Sequence, residues 1–137
     1  MQLTSNFSLE EMTYSATAAR MRISNIPDEE GKMRLKTLCE KILQPVRDRI
    51  GEPVVVTSAY RSARLNKAVG GVKNSQHQYG EAADIKCKDN KALWKLMVEM
   101  IDANEIVVGQ LIDEKNLSWI HVSLPTEKFR NMIFRIP

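Results

Sequence analysis

The chain has 137 residues, of which 43% are hydrophobic and 27% charged, and a formal net charge of +3. That length and balance suit one folded domain over 1–137 with a sizeable core, and they exclude a disordered chain. The mild positive charge comes without the basic block of a nucleic-acid-binding protein, so no nucleic-acid partner is expected.

No stretch approaches the ~20 apolar residues of a membrane span. The opening Met1-Gln2-Leu3-Thr4-Ser5-Asn6-Phe7 has neither the basic nor the apolar region of a signal peptide. Synthesis and folding in the cytoplasm are expected, so action outside would need separate delivery or a leader that this sequence lacks. A monomer is expected. Cys39 and Cys87 are far apart and carry no CxxC spacing, which favours two buried free thiols over a disulfide.

In chain order, Ser8-Leu9-Glu10-Glu11 reads as a capping box, with Phe7 and Met12 as a hydrophobic staple. A second helix is predicted from Pro27-Asp28-Glu29-Glu30. Its apolar positions Leu35, Leu38, Cys39, Ile42, Val46 and Ile50 follow helical spacing. Pro45 should kink or divide it, and Gly51 should end it. The β-branched run 53–58 predicts a buried strand, and 61–74 reads as loop or as short helix plus loop. A second strand is predicted at 82–87. Residues 91–104 form a helix in which Leu93, Trp94, Met97, Met100 and Ile101 are core. Strands follow at 106–112 and 117–124, joined by a hairpin connection at 113–116, and 132–136 reads as a terminal strand. Helices first and short strands later predict an α+β fold with a mainly antiparallel sheet.

The chain has two histidines. His77 and Asp84 lie seven positions apart around Gly80, whose freedom can supply a tight bend. Ala82 and Ala83 would let backbone and metal approach closely. His121 lies in an apolar strand two residues after Trp119, so the two should share one face. Two imidazoles and one carboxylate are the ligand set of a catalytic zinc site, with the fourth position left for water. Taken singly, a histidine in an apolar strand is more often a hydrogen-bonded core residue, and a loop histidine is by default exposed. Spacing alone does not make a metal site.

The pattern Ser75-x-His77-x-x-Gly80-x-Ala82-x-Asp84, followed by Trp119-x-His121, resembles the zinc D-Ala-D-Ala carboxypeptidase and murein endopeptidase family, in its compact bacterial and phage branch. Thr57-Ser58-Ala59-Tyr60-Arg61-Ser62, Leu65-Asn66, Val69-Gly70-Gly71, the opening Phe7-Ser8-Leu9-Glu10-Glu11 and Leu43-Gln44-Pro45-Val46-Arg47 are similar too, so the resemblance runs from Phe7 to Leu124. It implies the hedgehog/DD-peptidase fold, with helices on one side of the sheet. It also implies one Zn2+ per chain on His77, Asp84 and His121, and a peptidoglycan stem peptide as substrate. Arg61 would face substrate, holding a carboxylate or a developing oxyanion.

Several relatives carry Glu-x-x-His, but that position here is Ser118, which cannot act as a base. The Leu111-Ile112-Asp113-Glu114 stretch is similar to one in the family, and hedgehog domains hold a glutamate across such a turn. Glu114 is therefore the candidate base and Asp113 its competitor. Gln110, Ile112 and Glu114 should share a strand face. An even-numbered hairpin loop would pair Gln110 with His121, and an odd one would shift the parity. Ser75 (a hydrogen bond behind the ligands or a turn cap), Gln110 and Tyr79 (lining the cleft) are weaker candidates. Alternation points Cys87 away from Asp84, so it is not offered as a ligand. The function implied is a zinc metallopeptidase. The alternatives are a zinc-stabilised module that binds cell-wall peptide without cutting it and a phage structural or assembly protein.

Overall fold

The computed structural model describes residues 1–137. Helix α1 (Leu9–Thr13) starts at the predicted capping box: Ser8 accepts from the Glu11 N–H, and Glu11 reaches back to the Ser8 N–H. Phe7 and Met12 are both fully buried around it. Helix α2 (Ala16–Met21), capped by Ser15, was not expected from the sequence. At six residues it carries too few apolar positions to register a period.

Helix α3 (Glu29–Leu38) is capped by Asp28 and runs through a π-helical turn, Cys39–Leu43, into α4 (Gln44–Ile50). Proline lacks an N–H and its ring crowds the carbonyl four residues back. The chain meets this by widening the turn just before Pro45, where the Gln44 N–H bonds the Cys39 carbonyl. Gly51 then stops the helix at φ 72°. A short α5 (Ala63–Ala68) falls in the loop region, and α6 (Asn90–Asp102) is capped by Asp89. No helix is long and apolar enough to cross a membrane.

Five strands form one sheet: β1 (Val55–Ser58), β2 (Ala82–Lys86), β3 (Gln110–Glu114), β4 (Trp119–Ser123) and β5 (Met132–Ile136), in the order β1-β2-β4-β3-β5. The pairs β1–β2, β2–β4 and β3–β4 are antiparallel, whereas β3–β5 is parallel, so the sheet is mixed. The cause lies in the path of the chain. β4 ends level with the start of β3, and a chain stepping over β3 from there runs beside it in the same direction. β3 begins later than predicted, because 106–109 is irregular, and it absorbs Asp113 and Glu114 from the expected connection. The α+β class stands.

Alternation divides the sheet into two faces. Ala83 and Ile85 of β2, Leu111 of β3, and Ile120 and Val122 of β4 join one core with Phe7, Leu35, Leu38, Ile42, Leu93 and Met97. Asp84, Ile112, Glu114 and His121 are carried on the opposite face. Ala83 therefore packs in the core rather than making room for a metal. Cys39 is a buried free thiol as expected, but Cys87 is also free and only half-buried.

Candidate metal centre

The loop before β2 winds into a 3-10 turn, Gln76–Tyr79, whose N-cap is Ser75. The Ser75 hydroxyl accepts from the His77 N–H at 3.2 Å. Gly80 closes the turn at φ 74°, and a Cβ there would lie 2.6 Å from the Gly31 carbonyl oxygen. The bend needs glycine both for its left-handed backbone and for its close approach to α3. This turn brings His77, only 3% exposed, over the sheet beside Asp84. His77 is thus buried rather than the exposed loop residue that its polar neighbours suggest.

Asp84 and His121 are direct cross-strand partners on β2 and β4. His121 Nδ1 lies 3.0 Å from Asp84 Oδ1, and His77 Nε2 lies 3.4 Å from the same oxygen. The two imidazoles meet edge to face, with centroids 5.2 Å apart. The ligating atoms of all three residues lie within 4.8 Å of one another. A tetrahedral zinc with ligands at ~2.1 Å separates them by roughly 3.4 Å. The separation of 3.4 Å between His77 and Asp84 matches that edge, and that of 3.0 Å between His121 and Asp84 is somewhat shorter.

The outward nitrogens determine what the inner ones offer. His77 Nδ1 lies 2.7 Å from the Ala59 carbonyl oxygen, which can only accept, so Nδ1 carries the hydrogen. His121 Nε2 lies 3.0 Å from Gln76 Oε1, while the Gln76 amide nitrogen donates to Ser123 Oγ at 3.2 Å. With both outward nitrogens donating, each neutral ring turns a lone pair toward the Asp84 carboxylate. Three lone-pair donors facing one point repel unless a cation sits among them. Burial raises the Asp84 pKa, but with no cation among the three groups a second proton on the imidazoles takes its place, and the hydrogen bonds and charge that His121 and His77 then supply outweigh burial and hold the carboxyl below the usual carboxylate range. The donor set, two imidazoles and an ionised carboxylate with hydrogen-bonded outer nitrogens, suits zinc.

The three residues open into a cleft of about 480 Å³ lined by Arg61, Ser75, Gln110, Glu114 and Trp119 among others. The β3–β4 loop is four residues long, and its even count puts Glu114 on the His121 face. The partner of His121 is two residues along from the one expected, which keeps the same face: His121 faces Ile112, and Glu114 faces Trp119. Burial raises the Glu114 pKa, and the Asp84 charge adds to this against the charge of Lys115 and, when their rings are protonated, of His121 and His77. Asp113 points to the other face. It is 4% exposed, accepts the Leu117 N–H at 2.7 Å and pairs with Arg135 at 3.3 Å, so it is no competitor for chemistry in the cleft. Ser118 bonds the Lys115 carbonyl.

Arg61 has no carboxylate within ion-pairing distance. Its terminal nitrogen is 3.5 Å from Ser75 Oγ, and its buried Nε has no partner. Burial lowers its pKa against the pull of Asp84. The guanidinium therefore keeps unused donors at the cleft. Gln110 lines the cleft, with its backbone N–H bonded to Ser123 Oγ. Tyr79 does not line it: the ring is 41% exposed and its hydroxyl reaches Asn74. Sequence reasoning missed Gln76, Phe129 and Ile136 at the site. Gln76 lies next to His77 in sequence, but its link to His121 spans 45 residues and leaves no local signal.

The family model described as Peptidase M15 matches residues 5–123. Within the chain, 44 residues are 46% identical to the zinc D-Ala-D-Ala carboxypeptidase of Streptomyces albus G, covering 31% of this chain and 17% of that protein. The chain thus matches under a fifth of that relative's length, while the family match runs through nearly the whole fold and encloses His77, Asp84 and His121. On that match, this chain belongs to the peptidase M15 family.

Proposed function

We propose that the chain is a single-domain zinc peptidase that hydrolyses peptide bonds of peptidoglycan stem peptides, as a D-Ala-D-Ala carboxypeptidase or a murein endopeptidase. The observation carrying this is the convergence of His77 Nε2, Asp84 Oδ1 and His121 Nδ1, each a lone-pair donor, at the floor of one cleft. Zinc held there supplies Lewis acidity toward a water and a carbonyl oxygen. Ala59 and Gln76 keep the ring nitrogens in the tautomer that presents those lone pairs. Glu114, on the same face and with a raised pKa, takes the proton of the attacking water and returns it to the leaving amine. Arg61, with spare donors and no carboxylate partner, holds a terminal carboxylate or the developing oxyanion.

The test is metal analysis of purified protein together with digestion of purified peptidoglycan by the wild type, His77→Ala and Glu114→Ala. One zinc per chain and new amino termini from the wild type alone are expected. Full cleavage by Glu114→Ala would remove it as the base. Peptidoglycan binding without new amino termini would instead favour the non-cutting module that the residue at Ser118 kept open.

A further inference from the structure

The cleft has two unlike ends. Arg61, which follows the edge strand β1, offers bare hydrogen-bond donors at one end. At the other end the sheet continues past Glu114 onto β5, in parallel register: Met132 lies beside Gln110, Phe134 beside Ile112 and Ile136 beside Glu114. In-register residues of a parallel pair share a face. The ion pair between Arg135 and Asp113 on the reverse face marks the same phase. Met132, Phe134 and Ile136 thus extend the floor that carries His121 and Glu114, and they stay 40%, 36% and 45% exposed. Ile136 and Phe129 already line the cleft. All four lie beyond residue 123, where the family match ends.

An apolar strip of this kind, continuous with a polar site, calls for an apolar part of whatever crosses that site. A stem peptide offers little of that kind. Alanine methyls are too small to cover a phenylalanine and an isoleucine, and its glutamate is short and charged. Its diamino residue has a run of methylenes ending in a charged group. Such side chains lay their stem along apolar surface and keep the head in water.

Resting on the function proposed above, we propose that Phe129, Met132, Phe134 and Ile136 form a substrate subsite that seats the alkyl stem of the diamino residue, on the Glu114 side of the bond that is cut. The strip selects for that residue and sets affinity, while Arg61 at the opposite end fixes the polar end of the peptide.

The experiment uses the full zinc-loaded chain and two synthetic peptides: L-Ala-γ-D-Glu-L-Lys-D-Ala-D-Ala, and the same peptide with alanine in place of lysine. Phe134→Ser should raise KM for the lysine peptide about fivefold to tenfold, from methylenes left unburied, with kcat within about twofold. The alanine peptide should bind the wild type more weakly and be indifferent to the substitution. Met132→Ser, at a 40% exposed position, serves as a second variant whose fold does not depend on Phe134. Equal weakening of both peptides, or no change in either, overturns the subsite, as does a wild-type dimer in light scattering that Phe134→Ser dissolves. Wild-type turnover with KM blind to the strip sinks the subsite alone. A wild type that neither binds nor cuts either peptide sinks the proposed function and the subsite with it.

Discussion

Adjacent acidic residues on β3 are assigned to opposite faces of the sheet, and separating them tests the whole arrangement. Asp113 is 4% exposed, with one oxygen accepting the Leu117 N–H at 2.7 Å and the other 3.3 Å from Arg135. A hydrogen bond to a charged acceptor contributes about 1.5–3 kcal/mol, and asparagine keeps a weaker version of it. The pair with Arg135, itself 69% exposed, adds under about 1 kcal/mol. Asp113→Asn should therefore cost about 2 kcal/mol, a fall in Tm of roughly 4–8 °C for a chain of this size, while kcat on peptidoglycan stays within about twofold. Glu114→Gln should do the reverse. Its Tm should hold within a degree or two, and kcat should drop about 10²- to 10⁴-fold through loss of the base. Calorimetry and release of new amino termini, measured on the same preparations, read both quantities. An inactive Asp113→Asn with an unchanged Tm, beside an active Glu114→Gln, would refute the face assignment and the mechanism built on it.

Gln76→Leu should leave the fold intact but weaken zinc binding about 10- to 100-fold, read by competition with a chromogenic chelator, and NMR of His121 should show its hydrogen released from Nε2. Unchanged affinity would mean that the amide does not orient the ring. Gly80→Ala should lower stability by at least about 1–2 kcal/mol from the left-handed backbone alone, with more from the contact with Gly31. If Gly80→Ala also binds zinc as tightly as the wild type, the turn does not position His77. Cys39 is buried and its thiol is pushed up to about 12 by burial, with Glu11 and Glu40 adding to it. A folded pKa above the unfolded value of ~8.5 means that this contribution is whole below pH ~8.5 and is lost as pH rises from there toward 12, by at most ~1.4 kcal/mol per pH unit. Cys39→Ala should show a shallower loss of stability between pH 8.5 and 10.5 than the wild type. Equal slopes in urea titrations would count against a thiol kept protonated.

Elements with a local cause were legible in the sequence. Ser8 announced a helix start through capping chemistry, Pro27-Asp28-Glu29-Glu30 a second start, Gly51 an end, and Pro45 a disturbance that the helix absorbs as a π turn. Helix α2 escaped because a six-residue helix held by one serine cap has no period to read. The ligand types stood out because the chain has so few histidines, yet their convergence is a long-range matter: Asp84 meets His121 only through the pairing of β2 with β4. The direction of β5 was not legible either. Nothing in Met132 to Ile136 distinguishes a parallel from an antiparallel neighbour, and the answer lies in where β4 happens to end. Glu114 could be placed only up to the parity of the hairpin loop, and the four residues from Lys115 to Ser118 resolve it.

The central strands spell two messages in alternate letters. Along β4, Trp119, His121 and Ser123 face the cleft or its support, while Ile120 and Val122 fill the core. A slip of one residue in that strand would send an imidazole into oil and leave an isoleucine or valine beside Asp84. The same error thus costs activity and stability together. A chain that pairs β4 wrongly cannot persist as a stable but inactive impostor. It stays loose, free to unpair and try again, and the fold proofreads its own metal centre.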